Sequence, residues 1–264
     1  GGIRSATFTM SALQALDSMM DGKLMQQTFL ISGASGGMLG AAYFRELYYR
    51  KQHGESINLQ DQQYLKDISR DLLNPLFSSF ITRDLIGPAK PFQAHGYHYT
   101  KDRGYAFEQK LNENTRGYLN KTMNDYRKPE ANAEIPMMFF NAVITRDGRK
   151  LLMTTHPARF MMRPITDTNK INVMDADAID FHSYLAQQDA TNIGILSALR
   201  MNATFPYVLP NVWLPTNPVI DVMDAGLRDN FGQESSLRFM DVFKDWLREN
   251  TSKVILLQLR DRSL

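Results

Sequence analysis

Residues 28 to 40, Thr-Phe-Leu-Ile-Ser-Gly-Ala-Ser-Gly-Gly-Met-Leu-Gly, constrain this chain more than any other stretch. Thr28, Phe29, Leu30 and Ile31 form a short apolar run of β-branched and aromatic types, which predicts a buried strand. Gly33, Ala34, Ser35, Gly36 and Gly37 then give Gly-x-Ser-x-Gly, and Met38, Leu39, Ala41, Ala42, Tyr43, Phe44 and Leu47 continue as a helix. A serine at the apex of a strand, a sharp turn and a helix is the context of a nucleophile elbow. The spacing has a steric reason, because neighbours without a side chain let the turn close and a substrate approach. The Gly36 N–H would open the helix beside the Ser35 hydroxyl. There the orphan N–H groups and the positive end of the helix dipole favour a developing oxyanion.

A second reading starts from the same residues. Ser32-Gly33-Ala34-Ser35-Gly36-Gly37 resembles the start of a short-chain dehydrogenase fingerprint, and Tyr97 to Lys101 supply the Tyr-x-x-x-Lys of that family. Two features stand against it: Leu39 occupies the place of the last fingerprint glycine, and no apolar strand carrying a ribose-binding acid follows the helix.

Composition narrows the field. A chain of 264 residues is long enough for one core, burying roughly 70 to 75% of its unfolded surface. A formal charge of +2, with lysine and arginine scattered, leaves no nucleic-acid footprint. Zero cysteines exclude disulfides, thiolate metal sites and a cysteine nucleophile. The five histidines, His53, His95, His98, His156 and His182, include no His-x-x-x-His pair, so no metal site is expected. No apolar run reaches a membrane span of roughly 18 residues and no signal peptide opens the chain. Because Gly1-Gly2-Ile3-Arg4-Ser5 has no strand ahead of it, the chain is expected to be a domain of a longer protein.

Taken in order, residues 5 to 20 read as an amphipathic helix with Phe8, Ala12, Ala15, Leu16 and Met19 on its apolar face. Residues 62 to 73 and 104 to 120 read as helices within a stretch, 51 to 135, dense in aromatic residues and broken by prolines; it is a candidate cap. Met137 to Ile144, Asp147-Gly148 and Leu151 to Met153 give a β-hairpin signal, and His156-Pro157 ends it. Asp189 or Thr191 can cap a helix over about 192 to 201. Val219 to Met223 is the next strand, and Asp224 stands at its carboxyl end, placed to face a crevice with Ser35. Residues 233 to 249 read as a helix with Phe239, Val242, Phe243 and Trp246 inward, and Val254 to Leu259 as a last strand.

Three motifs in this order, Gly1-Gly2-Ile3-Arg4-Ser5, Gly33 to Gly37 and Asp224-Ala225-Gly226, resemble the patatin-like phospholipase family, with its glycine-rich oxyanion loop, serine elbow and Asp-Gly-type motif. Asp-Ala-Gly is closer to the Asp-x-Gly of the related cytosolic phospholipases than to the Asp-Gly-Gly of plant patatins, and Ser5 stands where the family often has glycine or alanine. Ala198 to Pro206 resembles the family's helix-to-proline segment, whereas residues 51 to 135 match nothing in it.

The resemblance implies an α/β fold: a three-layer α/β/α sandwich with a mainly parallel central sheet and a largely helical insertion, forming one catalytic domain over residues 1–264. It implies a lipid acyl hydrolase in which Ser35 is the nucleophile and Asp224 the base. Gly1, Gly2 and Gly36 would form the oxyanion hole, with Arg4, Gly33, Gly37 and Gly226 in support. No cofactor is implied. The expected partner is a lipid or other ester, with peripheral membrane contact and a cytoplasmic or membrane-peripheral location. An inactive lipid-binding module of the same fold is the alternative. A histidine triad of the α/β-hydrolase order is excluded, since no histidine follows Asp224.

Overall fold

The computed structural model describes residues 2–84, 91–94, 97–163, 176–206 and 208–261. The elements, in order, are α1 (Gly2–Met19), α2 (Leu24–Gln27), β1 (Leu30–Gly33), α3 (Ser35–Gln52), α4 (Gln62–Ile68), α5 (Leu73–Ser79), β2 (Pro91–Ala94), β3 (Tyr97–Thr100), α6 (Arg103–Asn114) and α7 (Met123–Ala131). After these come β4 (Met137–Ile144), β5 (Lys150–Met153), β6 (Ala178–Asp180), α8 (Phe181–Tyr184), α9 (Ile195–Asn202), β7 (Val212–Leu214), β8 (Ile220–Asp224), α10 (Gln233–Val242) and α11 (Lys244–Asn250).

β4 is the centre of a six-stranded sheet. Its two faces are legible from period-2 alternation. Met138, Phe140, Ala142 and Ile144 enter the large core beneath α1, α3 and α9, while Phe139 faces a second, smaller core with Leu152, Ala158, Met161 and Phe239 of α10. Aromatic rings hold that second layer: Phe239 stands 5.9 Å from Phe139, 5.6 Å from Phe29 and 4.6 Å from Phe243. Helices thus cover both faces of the sheet, as the α/β class requires. The strand directions are mixed: β1–β4 and β5–β6 are parallel, and β4–β5, β4–β8 and β7–β8 antiparallel.

Register brings two strand ends together on β4. β5 takes one edge of β4 over Phe140 to Val143, so β1, paired over Met137 to Phe140, and β8, paired over Ala142 to Ile144, share the other edge. β1 runs with β4 and β8 against it, so the carboxyl ends of both point at Asn141 from opposite sides.

α1 and α3 approach at backbone distance. A Cβ built on Gly36 would stand 1.9 Å from the Gly2 carbonyl oxygen, and one on Gly40 would stand 2.3 Å from that of Ala6. The spacing Gly36-x-x-x-Gly40 puts both on one face of α3. It draws the amino ends of the two helices together. Gly40→Ala is expected to lower stability by about 1–3 kcal/mol, because backbone rather than a flexible side chain must move. An unchanged thermal midpoint would show that the two helices do not meet there.

Several sequence expectations are corrected. The buried face of α1 is Ala6, Thr9, Met10, Leu13, Gln14 and Asp17, while Phe8 and Met19 are exposed. Gln14 Nε2 donates to the carbonyls of Leu59 at 2.8 Å and Asp61 at 3.1 Å, and Asp17 accepts from Leu24 N–H at 3.2 Å. These polar groups can be buried because each finds a partner. The helix expected over 62 to 73 is two helices, α4 and α5, and that over 104 to 120 ends at Asn114. β1 starts at Leu30 and is half-buried, with Phe29 exposed. The helix expected from 192 begins at Ile195 behind Gly194, and Asp189 has left-handed backbone instead of capping it. The helix over 233 to 249 breaks at Phe243 into α10 and α11, leaving Val242 and Trp246 exposed. Residues 254 to 259 form no strand; Val254, Ile255, Leu256 and Leu257 run outside the sheet and stay exposed.

The insertion docks on α9 through charge. Arg200 pairs with Asp102 at 3.0 Å and Glu108 at 3.7 Å, and Gly104 lies so close that a Cβ there would stand 2.0 Å from the guanidinium carbon. Burial raises the carboxyl pKa of Glu108 against the pull of Arg200.

Candidate active site

Ser35 begins α3, one residue after Ala34, whose extended backbone (φ −133°, ψ 153°) brings the chain off β1. Its own φ is +55°, the left-handed region that costs a non-glycine residue about 1–2 kcal/mol. That is the backbone strain expected of a nucleophile elbow. Gly36 and Gly37, in the first turn, have amide hydrogens without an intrahelical acceptor. The Gly2 carbonyl stands against Gly36, so the first turns of α1 and α3 meet; Gly1 lies outside the described residues.

Asp224 comes to the same place from the other strand end and is only 4% exposed. Its Oδ1 accepts the Gly226 N–H at 2.7 Å, while Oδ2 is buried without a partner of regular hydrogen-bond geometry among the described residues. Burial raises the carboxyl pKa, and the Gly226 N–H and the Ser35 hydroxyl oppose it by favouring the ionised form. The Ser35 side chain therefore faces the carboxyl across a shared cavity. Catalytic hydrogen bonds are often long before substrate binds.

Ser35 and Asp224 share a cavity of about 1930 Å³ with Gly2, Arg4, Gly33, Gly36, Gly37 and Gly226. Its walls are apolar, drawn from α1 (Leu13), the insertion (Leu76, Phe107), the loop after α9 (Phe205, Leu209) and the segment after α11 (Ile255, Leu257). Arg4 is exposed at the rim and forms no ion pair among the described residues. Such an arrangement offers a nucleophile, a desolvated carboxylate, backbone donors and room for a long apolar group.

His156 lines the same cavity, and each described histidine has a hydrogen-bond partner. His156 Nδ1 lies 2.8 Å from Thr155 Oγ1 and His182 Nε2 2.7 Å from the Thr154 carbonyl, both beyond the end of β5. His53 bonds to the Tyr49 carbonyl at 2.9 Å and His98 to Gln93 at 3.1 Å; His95 lies outside the described residues. Tyr97 opens β3, which among the described residues pairs only with β2, in a two-stranded sheet separate from the central one.

A sequence model of the patatin-like phospholipase family matches residues 1–236. The chain belongs to that family. At family level it is a lipid acyl hydrolase, with lipid esters as the class of substrate, and the dehydrogenase reading is thereby superseded. No curated protein and no solved structure matches the chain. No helix among the described residues is long and apolar enough to cross a membrane. The match ends at Ser236 in α10, so the segment 251–261 that borders the cavity, with its apolar run 254–257, lies outside the patatin-like match.

Sequence reasoning missed the residues that bring the site together: Gly40, Asn141, Asn202 and Gly232. Gly232 has φ +65°, and a Cβ there would stand 2.3 Å from the Ser32 carbonyl carbon, which packs the start of α10 against the elbow strand. Of these, Gly40 carried a signal in its four-residue spacing from Gly36, and Asn202 lay in the Ala198 to Pro206 stretch that resembles the family.

Proposed function

We propose that this patatin-like protein cleaves lipid esters through a Ser35–Asp224 dyad and an acyl-enzyme. The observation that carries the reading is the meeting, in one apolar cavity, of a serine in left-handed backbone with a buried carboxylate. Ser35 Oγ attacks the ester carbonyl as its proton passes to Asp224. The tetrahedral oxyanion takes hydrogen bonds from the N–H groups of Gly36 and Gly2. Collapse expels the alcohol, which recovers the proton from Asp224. Water then gives a proton to Asp224 and attacks the acyl-enzyme, and collapse returns that proton from Asp224 to the leaving Ser35 Oγ as the fatty acid departs. Arg4 at the rim suits a phosphate-bearing headgroup, and Leu72, Leu76 and Phe107 make the insertion a wall for the acyl chain.

The test is hydrolysis of a panel of phospholipids and lysophospholipids by the full-length protein, followed across pH. Asp224 works only when ionised, and its pKa is raised. Activity is therefore expected to fall as pH drops through a value above the ordinary aspartate value of about 3.9. A panel with no turnover, alongside retained lipid binding, would instead identify a binding module. An acid limb at or below about 3.9 would show that buried Asp224 is not the base.

A further inference from the structure

The turn that ends α9 touches both halves of the Ser35 and Asp224 site. On the serine side, Asn202 Nδ2 donates to the Gly33 carbonyl at 3.0 Å and to the Asn141 carbonyl at 2.8 Å. On the acid side, the Thr204 carbonyl accepts the Asp224 N–H at 3.0 Å. Thr204 Oγ1 donates back to the Arg200 carbonyl at 2.6 Å and fixes the turn between the two. Asn202 and Thr204 are both 0% exposed.

The location matters because β1 pairs as far as Gly33 with Phe140, and β8 pairs from Asp224 with Ala142. Asn202 inserts its amide at the gap between them, on Asn141. The Asn141 side chain is itself held between Ser32 Oγ and Ser235 Oγ, each at 3.3 Å. β4 fixes the register of both strands, but among the described residues no hydrogen bond of the sheet joins β1 to β8 directly, so the fine separation of their ends rests on what bridges them. Asn202 Oδ1 is meanwhile buried without a partner among the described residues. An apolar side chain of similar size would fill the space without that desolvation penalty, so packing alone does not account for an amide here.

We propose that Asn202 is a positioning residue: with Thr204 it clamps the two strand ends and sets the separation of Ser35 Oγ from the Asp224 carboxylate. The inference rests on the dyad reading above. Proton transfer needs heavy atoms about 2.6–3.2 Å apart, and a displacement of about 1 Å can cost a hundredfold in rate.

The experiment is active-site titration of the full-length protein with a fluorophosphonate, giving both the labelled fraction and the rate constant, beside kcat and KM on an ester. Asn202→Ala is expected to label fully at Ser35, with rate constant and kcat reduced about tenfold to a hundredfold and KM within about twofold. Asn202→Asp keeps the size and covers the case in which the alanine variant does not fold. A carboxyl buried there has a raised pKa, and its protonated form can still donate one of the two bonds. Its rate relative to wild type is expected to be highest at low pH and to fall as the introduced carboxyl ionises. A smaller labelled fraction with an unchanged rate constant would make Asn202 merely structural and overturn the proposal. So would wild-type rates in both variants, or an Asn202→Asp ratio that does not change with pH. Wild-type protein that fails to label at Ser35 is a different result, since it overturns the dyad reading itself.

Discussion

Ser35→Ala is expected to abolish both ester turnover and fluorophosphonate labelling, a loss of about a thousandfold or more, because the variant keeps every backbone donor of the site but has no atom to acylate. Alanine tolerates the left-handed region no better than serine, so the thermal midpoint should stay where it is. Ser35→Gly supplies the contrast. It removes the nucleophile equally, yet relieves the strain at φ +55°, and is expected to raise stability by about 1 kcal/mol. A pair of inactive variants that differ in stability in this sense would tie the strain to the serine. Labelling that persists at another serine in Ser35→Ala would remove Ser35 from the mechanism.

Asp224→Asn is expected to reduce kcat by about a thousandfold or more while KM changes little. The amide keeps the size of the carboxyl and can still accept the Gly226 N–H through its oxygen, but it cannot take the Ser35 proton. His156 also lines the cavity, but its Nδ1 is engaged by Thr155 Oγ1 and burial lowers its pKa, which weakens it as a substitute base. An active asparagine variant would mean that another base serves Ser35, and the dyad reading would fail although the patatin-like fold stood.

On the dyad reading proposed above, burial sets the character of this pair. An aspartate in water is a weak base, and an enzyme without a histidine relay must raise the basicity of its carboxylate. At Asp224 this is done by enclosure, while one N–H holds it in place and leaves Oδ2 free of competing donors among the described residues. A second or third backbone donor would lower the pKa and blunt the base.

The elbow, the hairpin of β4 and β5, and the strand ending at Asp224 were all legible in the sequence, because each is a local event. Glycine decides where a tight turn can close, and side-chain alternation decides where a strand can lie against a core. The family resemblance rested on the same local motifs. Long-range choices were not legible. Which face of α1 is buried depends on carbonyls at Leu59 and Asp61 that satisfy Gln14 from more than forty residues away. The apolar run 254 to 259 looks like a strand, yet no sheet edge receives it, and it lies along the cavity instead. The meeting of Ser35 with Asp224 is a property of register, because two strands of opposite direction on one edge of β4 must both stop at Asn141. Residues 189 positions apart in the chain carry no mutual signal at that separation. Their approach is decided only when the sheet pairs and the turn after α9 closes the gap.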